Sequence, residues 1–160
     1  MNKQDIYNYL TKNNIGYEVI EHGAVYNMED IDALDLPHPE AEAKNLFVRD
    51  DKKKNYYLIT VKGEKLVDLK EFRKKYGLRN LSFASPEDLL SILCLIPGAV
   101  TPLGLLNDAE QKVTLYLDAD FGDGLIGIHP NDNTATIYMK TPDLIRILKE
   151  QGHVVNVVEL

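Results

Sequence analysis

"AKNLFVRDDKKKNYYLIT", residues 43–60, reads as strand, tight turn, strand. The apolar run Leu46-Phe47-Val48 and the run Tyr56-Tyr57-Leu58-Ile59 flank a polar hexapeptide, Asp50–Asn55, whose residues favour a turn. The spacing predicts a hairpin with strands at 44–49 and 55–61. The strand opens on a cation and an amide, Lys44 and Asn45, in a chain whose formal net charge is -7. A lysine stem on apolar surface can simply carry its ammonium out to water. The same pair at the rim of a pocket could neutralise phosphate, polarise a carbonyl and supply directed hydrogen bonds.

Outward from the hairpin, helix and strand signals interleave. Upstream lie a short amphipathic helix at 3–13, a strand at 17–22 and a helical "NMEDIDALD" at 27–35 with Asn27 as its N-cap. Downstream, Asp68 caps a basic helix closed by Gly77. Ser85-Pro86 opens "SPEDLLSILCL" as the clearest helix start in the chain, and Thr141-Pro142 repeats that start for a helix ending at Gly152. Strands are expected at 112–118, 125–129, 134–139 and in the β-branched "HVVNVVEL". The fold class that follows is α+β (mixed α/β): a mixed, mostly antiparallel sheet with helices packed around it. With 160 residues and no repeat or linker, one domain spanning 1–160 is expected.

Composition narrows the function classes. The chain is 44% apolar and 27% charged, ordinary for a soluble globular protein. It lacks a membrane-length apolar run and a signal-like amino terminus, so a cytoplasmic protein without membrane contact is expected. The one cysteine, Cys94, lies in "LLSILCLI" and reads as core filling. The histidines 22, 38, 129 and 153 have no metal-ligand spacing, and no Walker loop or dinucleotide fingerprint appears, so no metal and no cofactor is expected. Asp118, Asp120 and Asp123 lack the glutamate of a calcium loop and read as a solvated turn. Charge is uneven: residues 44–79 carry +7 and the remainder -14. Such a block is either a solvated hairpin and helix or a face that attracts a polyanion.

Two further stretches could carry chemistry. "PGAVTP", 97–102, confines the backbone with two prolines around Gly98 and can offer main-chain groups to a ligand. In "HPNDNTAT", 129–136, His129 follows the strand "LIGI" and lies near Asn133; it reads as a structural hydrogen-bonder or a general base.

Together and in this order, "KNLFVRDDKKKNYYLIT", "VDLKEF", "FASPEDLLSILCLIPGAVTPLGLLND", "VTLYLD" and "IHPNDNTATI" resemble the YbaK-like group of bacterial trans-editing aminoacyl-tRNA deacylases. These are free-standing relatives of the prolyl-tRNA synthetase insertion domain. The match covers about residues 20–155, and the subtype it most resembles is the alanyl-tRNA(Pro) deacylase. The resemblance implies hydrolysis of the ester of mischarged Ala-tRNA(Pro), with Lys44, Asn45, Gly98 and His129 as catalytic residues. Ala99, Val100, Thr101, Pro102 and Asn133 would contact the substrate. Arg49, Lys52, Lys53, Lys54, Arg73 and Lys74 would meet tRNA phosphates. Partners implied are tRNA and either prolyl-tRNA synthetase or an elongation factor. The alternatives are a deacylase for another small residue, such as Cys-tRNA(Pro), and a non-catalytic module that binds aminoacyl-tRNA or a synthetase. One departure stands out: Asn27 occupies a position where relatives tend to carry threonine.

Overall fold

The computed structural model describes residues 1–160. The hairpin forms as β2 (Ala43–Asp50) and β3 (Tyr56–Lys62), antiparallel, with Lys44 opposite Val61 and Phe47 opposite Leu58. Its turn is held by Asp50, whose carboxylate accepts from the Lys54 N–H at 2.9 Å and the Asn55 amide at 2.7 Å. Before the hairpin come α1 (Lys3–Lys12), β1 (Tyr17–Glu21) and α2 (Met28–Asp32). After it come α3 (Leu69–Lys75), β4 (Leu81–Phe83), α4 (Pro86–Asp88), β5 (Val113–Asp118), β6 (Leu125–Ile128), β7 (Ala135–Lys140), α5 (Thr141–Glu150) and β8 (Val155–Val158).

The strands form two sheets rather than the single one expected. One is antiparallel, in the order β1-β7-β6; the other is mixed, in the order β4-β2-β3-β5-β8, with β5 parallel to both its neighbours. A single parallel bridge, Glu42 to Gly127, joins the start of β2 to β6. Successive residues of the hairpin serve two cores, as strand pleat requires. Phe47 and Leu58 enter a cluster of 24 buried residues that reaches from α1 to β8. Val48 and Ile59 turn the other way, into a small cluster with Phe72 of α3 and Tyr116 of β5. Burying a Leu or Ile side chain is worth about 1.5–3 kcal/mol, so the larger cluster supplies most of the stabilisation and fixes both sheets.

Four local expectations are corrected. The helix after Ser85 keeps its reciprocal cap with Asp88 but stays α-helical only through Asp88, then widens into a π-turn at Leu89–Leu93. Cys94 ends that turn at φ 56° and is exposed: the left-handed residue swings outward while Leu95 returns to the core. Thr141 is the first residue of α5 rather than its cap; its hydroxyl donates to the Gly124 carbonyl at 2.9 Å. Asp118 is not solvated. It is 1% exposed and pairs with the Lys65 ammonium at 2.8 Å, which also pairs with Asp120 at 2.5 Å. No helix is long and apolar enough to cross a membrane.

Candidate active site

Strand β4 pairs with β2 only at Val48–Asp50. The edge of β2 near its start is therefore left facing β6, and a cavity of about 270 Å³ opens there. Its polar wall holds Lys44, Asn45, Glu42, His129 and Thr136, with the backbone of Gly98. Its apolar wall is built from Val25, Met28, Ile31, Val100 and Ile128. Lys44, Gly98 and His129, from three distant stretches, thus share one small concavity.

Each polar group is held in a defined state. The Thr60 hydroxyl donates to Asn45 Oδ1 at 2.6 Å, which fixes the amide and leaves the Nδ2 hydrogens for a ligand. The Lys44 ammonium donates to the Lys65 carbonyl and has no carboxylate partner, so its charge is not neutralised. His129 Nδ1 lies 2.9 Å from the Ala135 carbonyl; a carbonyl can only accept, so Nδ1 carries the proton and Nε2 is left as an acceptor. Burial pushes the His129 pKa below its ordinary 6.5, which keeps the ring neutral at pH 7. His22 is locked likewise, between the Gly23 carbonyl at 2.7 Å and the Thr136 hydroxyl at 2.9 Å, with its ring edge-on to His129.

Gly98 adopts φ +91°, and a side chain there would meet Tyr26 Cδ1 at 3.0 Å and Asn133 Nδ2 at 3.3 Å. Its N–H has no acceptor in the chain, whereas that of Ala99 is spent on the Ile96 carbonyl at 3.1 Å. Of the "GAVTP" loop only Gly98 and Val100 reach the cavity. Ala99, Thr101 and Pro102 do not line it: all three are buried, and Thr101 caps the 3-10 turn Pro102–Asn107. Asn133 does not line the cavity either. Its amide donates to the Val25 carbonyl at 2.8 Å, clamping the loop that forms the cavity wall.

The basic block is partly self-neutralised. Arg49 pairs with Asp88 and is only 20% exposed at its side chain, so it is not a free phosphate contact. Arg79 is likewise held by Asp51 at 2.5 Å. Lys52, Lys53 and Lys54 at the hairpin tip are exposed without ion pairs, as is Lys74 of α3, and Arg73 is half-buried and unpaired. At about 3.4 Å per residue, that tip lies roughly 25 Å from Lys44.

Glu42 and Tyr26 are among the cavity residues that lie outside the sequence candidates. Glu42 is 6% exposed, and Tyr26, 68% exposed, lies at the cavity beside Gly98. No motif flags either; a carboxylate among "PEAEAKN" has the look of a solvated one. The Asn27 departure has a physical reading: Asn27 Oδ1 accepts from the Asp30 N–H at 2.9 Å as the cap of α2, a task asparagine and threonine share.

Comparison with known proteins gives concordant findings. A family model, the aminoacyl-tRNA editing domain, matches residues 22–147. The chain is 37% identical over 159 residues to the prolyl-tRNA editing protein ProX of Acetoanaerobium sticklandii, covering 99% of this chain and 97% of that protein. It is 35% identical over 145 residues to the prolyl-tRNA synthetase associated domain-containing protein 1 of Mus musculus, covering 85% and 83% respectively. A solved structure described as a candidate trans-editing enzyme for prolyl-tRNA synthetase superposes with a TM-score of 0.72 at 20% identity, over 99% of this chain and 96% of that one. That last likeness concerns the fold alone.

Proposed function

The chain belongs to the aminoacyl-tRNA editing domain family, and on that premise we propose that residues 1–160 form one deacylase domain that hydrolyses Ala-tRNA(Pro). The observation that carries this reading is the convergence of Lys44, Asn45, Gly98 and His129 on one cavity of about 270 Å³.

An aminoacyl ester is already activated, so a positioned water and stabilisation of the oxyanion suffice. Water adds to the ester carbonyl, and the oxygen that gains charge accepts from Asn45 Nδ2 and the free Gly98 N–H. The Lys44 ammonium supplies the countercharge. The tetrahedral intermediate then expels the ribose oxygen, which takes up the proton that the attacking water gives up, and releases alanine and tRNA. His129, neutral and accepting at Nε2, orients the water or the neighbouring ribose hydroxyl; no covalent bond to the enzyme forms.

Selectivity follows from size. A synthetase pocket rejects a smaller side chain by only about 1–3 kcal/mol per methylene, so a second site that admits the smaller residue is needed. Val25, Met28, Ile31, Val100 and Ile128 form an aliphatic wall suited to a methyl group. The unpaired lysines 52–54 and 74, with Arg73, offer charge to the tRNA backbone. Action in the cytoplasm, alone or beside prolyl-tRNA synthetase or an elongation factor, is consistent with that substrate.

The test is hydrolysis of labelled Ala-, Cys-, Ser- and Pro-tRNA(Pro) by the purified protein. Ala-tRNA(Pro) is expected to decay far above its spontaneous rate while Pro-tRNA(Pro) persists. Lys44→Ala is expected to lower the rate by about 10²-fold or more. Preferential loss of the cysteinyl ester would reassign the substrate, and no enzymatic loss of any ester would overturn the deacylase reading.

A further inference from the structure

Glu42 is a buried carboxyl group that nothing in the mechanism above uses. It stands immediately before β2, bridged through its backbone to Gly127 of β6, and lines the cavity. One carboxylate oxygen, Oε1, accepts from the Tyr138 hydroxyl. Tyr138 is itself 1% exposed and is held by the edge-on His38 ring at 4.8 Å, so it is a fixed donor. The other oxygen, Oε2, has no donor anywhere in the chain. It is not sealed away either, since the sealed side-chain atoms without partners are Asn131 Oδ1 and His153 Nδ1. It is therefore accessible, on a residue that lines the cavity.

The charge around Glu42 is unbalanced. No lysine or arginine pairs with it, and the nearest basic neighbour in sequence, Lys44, gives its ammonium to the Lys65 carbonyl. The Tyr138 hydroxyl and, after it, the His22 ring favour the ionised form, and the Asp32 and Glu40 carboxylates oppose it. Burial raises its pKa above the ordinary carboxylate value. A buried carboxyl group without a cation is costly, and the cost is relieved when a cation arrives with the ligand. An aminoacyl ester brings such a cation, its α-ammonium, two bonds from the carbonyl that is attacked.

We infer that Glu42 receives the α-ammonium of the esterified amino acid on Oε2, with Tyr138 holding Oε1, and so selects esters that carry a free amino group. Glu42 is then a substrate-binding residue and Tyr138 a positioning residue. This rests on the deacylase reading, and it adds a chemical criterion to the steric one: the methyl group is sorted by the aliphatic wall, the amino group by a single buried carboxylate.

The experiment compares alanyl-tRNA(Pro) with lactyl-tRNA(Pro), in which a hydroxyl replaces the ammonium on an otherwise identical ester. Each rate is divided by that ester's spontaneous rate. The wild-type protein is expected to favour the alanyl ester by tenfold or more. Glu42→Gln retains an acceptor for Tyr138 and removes the charge, so its preference is expected to fall to about one, through loss of the alanyl rate with the lactyl rate kept. Tyr138→Phe is expected to lower the preference in part. Equal loss on both esters in Glu42→Gln, or a wild-type protein that cleaves both esters equally, overturns the assignment while leaving the deacylase reading intact. A wild-type protein inactive on both overturns the two together. The wild-type comparison decides the matter even where a variant fails to fold.

Discussion

At residue 98 the backbone holds φ +91°, where an L side chain is strained whatever the space around it, and the space is also taken by Tyr26 and Asn133. Alanine there costs about 1–2 kcal/mol from the dihedral alone, and its methyl group pushes the Tyr26 ring away from its seat. Gly98→Ala is therefore expected to lower the melting temperature by several degrees, since about 1 kcal/mol moves a chain of this size by roughly 2–4 °C. It should also reduce deacylation at least tenfold, because the N–H offered to the oxyanion is displaced with the loop. Calorimetry and single-turnover hydrolysis check the two effects separately; an unchanged rate would remove Gly98 from the oxyanion site. Which cavity residues were legible in sequence follows from chemistry. Lys44, Asn45, Gly98 and His129 stand in recognisable motifs, whereas Glu42 is invisible because its burial depends on a bridge to a strand 85 positions away. Ala99, Thr101, Pro102 and Asn133 sit in the same motifs but are spent on holding the loop, and spacing cannot distinguish a residue that touches a ligand from one that supports its neighbour.

Among the elements, the β2–β3 hairpin joins the two ends of the proposed reaction: its open end lines the cavity and its tip carries Lys52, Lys53 and Lys54. If the tip rides on the tRNA backbone, replacing these three lysines by glutamine removes up to three phosphate contacts. The slope of log affinity against log salt is then expected to flatten by about 2–3, at roughly 0.9 per contact on duplex. Arg49→Gln should leave that slope unchanged, since its charge already belongs to Asp88. Filter binding across a salt series measures both, and equal slopes for the wild-type and triple-lysine proteins would exclude the tip from the interface. The hairpin was readable because turn chemistry and alternating burial are local signals. The segment after Ser85 was readable only at its start: the cap is a two-residue contact, but the π-turn at Leu89–Leu93 is set by how Leu89, Ile92, Leu93 and Leu95 must all reach the core. Strand β4, three residues long, is too short to carry a period. The division into two sheets is likewise invisible locally, because it depends on β1 choosing β7 as its partner rather than the hairpin.

The whole molecule carries opposed titrations in its folded state, and together they predict how stability varies with pH. Burial lowers the pKa of His129 and of His153, which is 6% exposed with Nδ1 unpartnered. For both, the folded form resists a proton that the unfolded chain accepts, so their contribution is full above the ordinary 6.5 and is lost as pH falls below it. Glu42 works in the opposite sense. Its pKa is raised by burial, so the folded state takes up a proton before the unfolded chain does, and falling pH towards the ordinary 4.5 relieves a cost present at neutrality. The lowered carboxylates, Asp50, Asp88 and Asp132 among them, lose their contributions only below their ordinary 3.8 as they protonate. Urea unfolding between pH 7 and 5 should therefore find the wild-type protein losing stability as pH falls, with Glu42 blunting the decline. In Glu42→Gln the compensating group is gone. That variant is expected to be more stable than wild type at pH 7 and to lose stability more steeply towards pH 5, each uncompensated proton contributing up to about 1.4 kcal/mol per pH unit. Parallel curves for the two proteins would mean that Glu42 has the same proton affinity folded and unfolded, and that its carboxylate does not wait, uncompensated, for the cation of a ligand.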